Sequence, residues 1–108
     1  MPKFLLTFRG PSEPVAPDPD ASAAWMQWFG QINDSVIEMG DGVGAAHRVG
    51  NVEGGSQRVG GYTIIEAADL NAAAKIASSS PPVADGYGVE VGQLLEILAN
   101  VPASGATA

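Results

Sequence analysis

The chain contains no cysteine. That excludes a disulfide scaffold, a Cys-ligated zinc site, an iron–sulfur cluster and a thiol nucleophile together. Basic charge is scarce: five Lys and Arg stand against twelve Asp and Glu, a net charge of −7 over 108 residues. Nucleic acid and anionic membrane are bound through clustered Lys and Arg, so neither is an expected partner. Histidine occurs once, as His47, which is too few for a multi-histidine metal site. The apolar run near the start, in Lys3-Phe-Leu-Leu-Thr-Phe8, is too short for a signal-peptide core or a bilayer span. The expectation is a soluble, cytoplasmic, single-domain protein, because domains run ~50–250 residues.

What the chain has in excess is fourteen Gly and eight Pro, and their placement divides it. Residues 3–9 form an apolar run closed by Gly10-Pro11, which reads as a strand. Alternation puts Phe4, Leu6 and Phe8 on one face and Leu5, Thr7 and Arg9 on the other. Apolar side chains on both faces indicate an interior strand. Prolines at 11, 14, 17 and 19 remove amide donors and fix φ, so residues 11–20 read as a loop. Asp20 or Ser22 can cap the helix that follows. Trp25, Phe29, Ile32, Val36 and Met39 recur at steps of four and three, one stripe of an amphipathic helix ending at Gly40 in the left-handed conformation. Gly30 inside it costs ~1 kcal/mol relative to Ala, which points to close packing there. Trp25, Trp28 and Phe29 read as core.

Residues 43–49 are a weaker strand and 51–56 a hairpin-type turn. Gln57–Glu66 is the strongest strand, with Tyr62, Thr63, Ile64 and Ile65 all high in β propensity. Asp69 caps a helix from Leu70 to about Ser79, and Pro81-Pro82 stops it. Residues 87–91 are the final strand, and Leu94, Leu95, Ile97 and Leu98 either extend it or start a short helix. Residues 102–108 read as a disordered tail, leaving 1–101 as the domain. The order β-α-β-β-α-β is that of a ferredoxin-like α+β sandwich, a four-stranded antiparallel sheet with two helices on one face. Helices then cover one face of a sheet that is apolar on both. A second copy against the open face, closing a dimeric α+β barrel, is the expected remedy.

Several segments resemble the YCII-related (DGPF-type) family: Gly60-Gly-Tyr-Thr-Ile-Ile-Glu66, Ala67-Ala-Asp-Leu-Asn-Ala-Ala-Ala-Lys-Ile-Ala77, Ser80-Pro81-Pro82 and Gly88-Val-Glu-Val91. Lys3-Phe-Leu-Leu resembles its opening strand, and the stretch from Trp28 to Gly40 resembles its first helix. The likeness runs over 3–91 apart from the proline-rich loop and rests on the order of the pieces. It implies a ferredoxin-like dimeric α+β barrel. Enzyme-like members carry a His on the first helix and an Asp just after the second. The stretches similar to those are Trp28-Phe29 and Ser80-Pro81, which supply no acid or base, and an Asp-Gly-Pro-Phe segment is absent. The resemblance therefore implies a small homodimer that binds a small molecule or serves as an accessory subunit, with no cofactor. The alternatives are a cofactor-independent enzyme, monooxygenase- or lyase-like, using the helix–sheet cleft, and a pure interaction module.

Candidate chemistry is thin. His47, beside Arg48 on a predicted strand, could be a catalytic general base whose partner arrives from another strand or subunit; a polar-face histidine is the plainer reading. Arg9, His47, Arg48 and Arg58 could converge on an anionic ligand such as a carboxylate, which Arg grips with two bonds. Solvated charge balance is the simpler account of them. Trp28 and Tyr62 join Arg9 and Arg48 as candidate ligand contacts. Gly54-Gly55 and Gly60-Gly61 fit no phosphate-loop spacing and are explained by chain turns.

Overall fold

The computed structural model describes residues 1–11, 18–52 and 57–95. Prolines 14 and 17, residues 53–56 of the expected hairpin turn, Ile97, Leu98 and the 102–108 tail lie outside these. The elements are β1 (Lys3–Pro11), α1 (Pro19–Gln31), β2 (Val36–Glu38), β3 (Gln57–Glu66), α2 (Leu70–Ala77), α3 (Pro81–Ala84) and β4 (Val89–Gln93). Among the described residues the strands form one antiparallel open sheet in the order β2-β3-β1-β4. The fold is α+β, and this order is consistent with a ferredoxin-like arrangement. No helix among the described residues is long and apolar enough to cross a membrane.

β1 lies between β3 and β4, pairing Leu5 with Ile64 and Gly92, and Thr7 with Tyr62 and Glu90. Its alternation is as the sequence predicts: Phe4, Leu6 and Phe8 are buried while Leu5, Thr7 and Arg9 are half-buried. The buried side chains meet Ile65, Ala67, Trp28 of α1, and Ala73 and Ala77 of α2 in one core. Alanines at Ala73 and Ala77 let α2 seat close to the sheet. The opposite sheet face carries Leu5, Thr7, Tyr62 and Ile64, all half-buried.

Four sequence expectations change. The cap of α1 is Asp18, whose carboxylate accepts the Asp20 amide at 3.0 Å, in place of Asp20 or Ser22. Pro19 has no amide to cap and suits the first helical position, so the acceptor belongs one residue before it. Second, α1 stops at Gln31, followed by a tight 3-10 turn over Asn33–Ser35, and Val36 begins β2. Asn, Asp and Ser compete with the helix for backbone hydrogen bonds, and the β-branched Val36-Ile37 pair then finds the free edge of β3. Val36 pairs with Ile65 and Glu38 with Ile64, a bulge separating them.

Third, residues 43–49 form no strand. Gly42 makes a single bridge to Gly61 and the Val43 amide bonds the Gly60 carbonyl at 3.0 Å, after which 44–52 is exposed. The edge of β3 has already been taken by residues 36–43. Gly60 and Gly61 accordingly sit inside β3, not in a turn. Fourth, Gly30 is exposed, with no atom near the place a side chain would occupy. Gly40 does adopt positive φ, at +73°, but it follows a strand and not a helix. Asp69 caps α2 as expected, accepting the Ala72 amide at 2.8 Å. Pro81-Pro82 both ends that helical run and opens the short α3, since a first-turn proline forfeits no hydrogen bond.

Candidate functional site

Arg9 and Tyr62 stand on the sheet face that the core does not use. Arg9 follows a bulge in the β1–β3 ladder and donates to Glu90 Oε1 on β4 at 3.0 Å. Tyr62 is half-buried on β3, with Glu38 of the edge strand and Asp41 nearby. Their negative charges, Glu38 foremost, with slight burial and a hydrogen bond to Glu38, raise the phenol above its ordinary pKa of 10.0. Tyr62 is therefore a neutral hydrogen-bonding group at physiological pH.

The other candidate cations are elsewhere. Arg9 lies across from Val59 and Gly10 from Arg58, so Arg9 and Arg58 occupy alternate positions and point to opposite sheet faces. Arg58 Nη2 donates to the Val43 carbonyl at 3.2 Å and also to the Gly44 carbonyl, clasping the chain where it leaves β3. His47 and Arg48 lie beyond that clasp, exposed in the 44–52 stretch. Arg9 and Arg58 thus each have partners of their own, and the structure does not gather the four groups around one anion-sized space.

Trp28 belongs to a different region. α1 sends Trp25, Trp28 and Phe29 toward β1, where Phe8 meets Trp25 and Trp28 edge to face at 4.8 and 5.7 Å between ring centroids. These rings fill the space between α1 and β1, where a helix–sheet cleft would have to open. Trp28 is almost fully buried, and its indole Nε1 donates to Ser79 Oγ at 3.0 Å. The flank of α1 that turns toward α3 instead borders a cleft of about 460 Å³. Its walls include both indoles, and Asp18, Asp20 and Asp85 lie around it with Gln27 and Gln31. None of the described residues lining it is Lys, Arg or His.

Of the candidate residues, then, Trp28 borders the cleft, Arg9 and Tyr62 share the open sheet face, and His47 and Arg48 are on an exposed connection. Asp18, Asp20 and Asp85 were missed as site residues. Asp18-Pro19 is a readable helix start, but nothing in the sequence places Asp85 opposite it. Among the described residues no three His, Asp or Glu side chains come together as a metal-holding group. Compared with known proteins, the chain matches no protein-family model and no curated sequence.

Proposed function

We propose that the chain is a small homodimeric binding protein of the YCII-like α+β barrel type, one that takes up a small molecule, alone or as an accessory subunit. The observation that supports it is the α1–α3 cleft. Ligand sites are typically concave, ~300–1,000 Å³, with aromatic walls and a few polar groups, and about 460 Å³ bordered by two indoles fits that description. His47, the one histidine, is outside the lining, so the reading is binding and not turnover. Two copies would join through the sheet face bearing Leu5, Thr7, Tyr62 and Ile64, covering apolar surface that the helices leave open.

Binding is tested by following the two Trp indole N–H signals by NMR during a screen of small aromatic and aliphatic fragments. Saturable movement of both is expected, and a screen in which neither moves overturns the binding reading. Assembly is tested by light scattering at micromolar concentration: twice the 11.0 kDa chain mass is expected. Monomer mass there overturns the homodimer, and Ile64→Arg should convert a dimer to monomer.

A further inference from the structure

Resting on that binding reading, we propose that the α1–α3 cleft selects an organic cation, a quaternary or protonated amine of choline size. Two independent features converge on this class. The first is the aromatic wall. Trp25 and Trp28 meet with ring centroids 5.9 Å apart and planes at 79°, so they form a corner and not a stack. Trp25 is only half-buried, which leaves ring surface for a guest. An indole face is the best side-chain partner for an alkylammonium ion, because the ring quadrupole is negative over its face.

The second feature is which polar groups remain for a ligand. The Trp28 N–H is committed to Ser79, and the Ser79 hydroxyl in turn donates to the Ile76 carbonyl at 3.0 Å. Those two donors are therefore used within the protein. What faces the cleft in addition is the carboxamides of Gln27 and Gln31, which both donate and accept, and the carboxylates of Asp18, Asp20 and Asp85, which bring the only formal charge among the described lining residues. One oxygen of Asp18 accepts the Asp20 amide at the helix start, which leaves its second oxygen outside that bond. A carboxylate or phosphate guest would meet like charge, with no Lys, Arg or His among the described lining residues to offset it. A neutral guest would gain from the rings by contact and could donate a hydroxyl to one carboxylate, but it carries no charge for the indole faces or the three acids to attract. Only a cation is attracted by its charge to both.

The full-length protein would be titrated at constant ionic strength with three isosteric probes: choline, the neutral 3,3-dimethylbutan-1-ol, and the anionic 3,3-dimethylbutanoate. The readout is the Trp25 and Trp28 indole N–H signals. Choline should bind at least about three-fold tighter than the alcohol, from ring and carboxylate contributions at an exposed site. Asp20→Asn and Asp85→Asn should each weaken choline about two-fold and leave the alcohol unchanged. Both side chains are exposed, so the variants keep the fold, as far-UV circular dichroism would verify. Equal or tighter binding of the alcohol or the acid overturns the cation assignment while leaving the binding reading intact. Saturable shifts with none of the three overturn the cation assignment, and the fragment screen alone then decides the binding reading.

Discussion

Trp28 and Ser79 are joined by a 3.0 Å hydrogen bond from indole to hydroxyl, which ties the last turn of α1 to the connection between α2 and α3. It is a side-chain bond spanning 51 residues of sequence, and one of its partners is almost fully buried. Ser79→Ala should destabilise the fold by about 1 kcal/mol, the net worth of one such bond. Trp28→Ala removes the ring as well and should cost about 3–5 kcal/mol, in the range for deleting a core aromatic. Urea unfolding of the two variants checks both values. Equal losses would mean that the ring contributes little and the core is not built around it.

Gly40 carries a second prediction. Its φ is +73°, and a Cβ there would come within 2.0 Å of the Tyr62 carbonyl oxygen. Gly50 has a similar φ of +76° with nothing within 4 Å. Gly50→Ala should cost about 1–2 kcal/mol, the backbone penalty alone. Gly40→Ala should cost clearly more, because the edge chain must also move off β3. Thermal melts of the pair separate conformational strain from collision, and equal losses would sink the claim of close approach.

Tyr62 should titrate above the ordinary phenol range in the folded protein. A folded pKa raised above the unfolded value means the native state holds the proton more tightly. The associated stabilisation is complete below pH 10, and it is lost as pH rises through the folded pKa. Glu38→Gln removes the largest cause and should bring the phenol back toward 10.0. Absorbance titration near 295 nm, with Tyr87 assigned by a Tyr87→Phe variant, follows the change. An unaltered Tyr62 titration in the Glu38→Gln protein would show that Glu38 does not govern it.

Arg58 holds the carbonyls of Val43 and Gly44 and so sets where the chain departs from β3. Arg58→Ala should leave the core intact, lowering stability by about 1–2 kcal/mol through lost charged hydrogen bonds. Amide exchange should quicken at Val43, whose N–H bonds the Gly60 carbonyl. Arg58→Lys should rescue only part of the effect: both bonds leave one planar guanidinium nitrogen, Nη2, whereas an ammonium is more strongly hydrated and sits on a flexible stem. Hydrogen exchange by mass spectrometry over 40–52 distinguishes the cases, and unchanged protection in Arg58→Ala would remove the clasp.

Much of this architecture is legible before any coordinates. The alternation of Phe4, Leu6 and Phe8 declares a buried face because successive strand side chains point opposite ways. Gln57–Glu66 has the observed bounds of β3, and Asp69 is read as the α2 cap from its position alone. The error at Val36 and Met39 is instructive. Both residues fit the helical spacing that begins at Trp25, and spacing alone cannot say that Asn33-Asp34-Ser35 breaks the helix. Val36 is drawn into β2 by Ile65, a residue far away in sequence.

The candidate site is less legible than the fold. Arg9 and Arg58 look alike in the sequence, yet the register sends them to opposite faces, one to Glu90 and one to backbone carbonyls. Trp25 and Trp28 read as core, and Trp28 is, but the same rings also border a cleft. That second role depends on α3, a four-residue helix that begins at Pro81-Pro82, a pair that reads in the sequence only as the stop of the helix before it.

The sequence by itself determined the absence of thiol chemistry, the acidic balance, the alternation of β1, the bounds of β3 and the start of α2. Each depends on composition or on residues within one or two turns of one another. Tertiary structure alone decided which segment completes the sheet beside β3, where His47 and the arginines lie relative to one another, and that Asp18 and Asp85 face one space. Those outcomes are contests between distant segments for a single strand edge or helix flank. They are settled by which contacts can form together in space, and that information is not carried by any local stretch of chain.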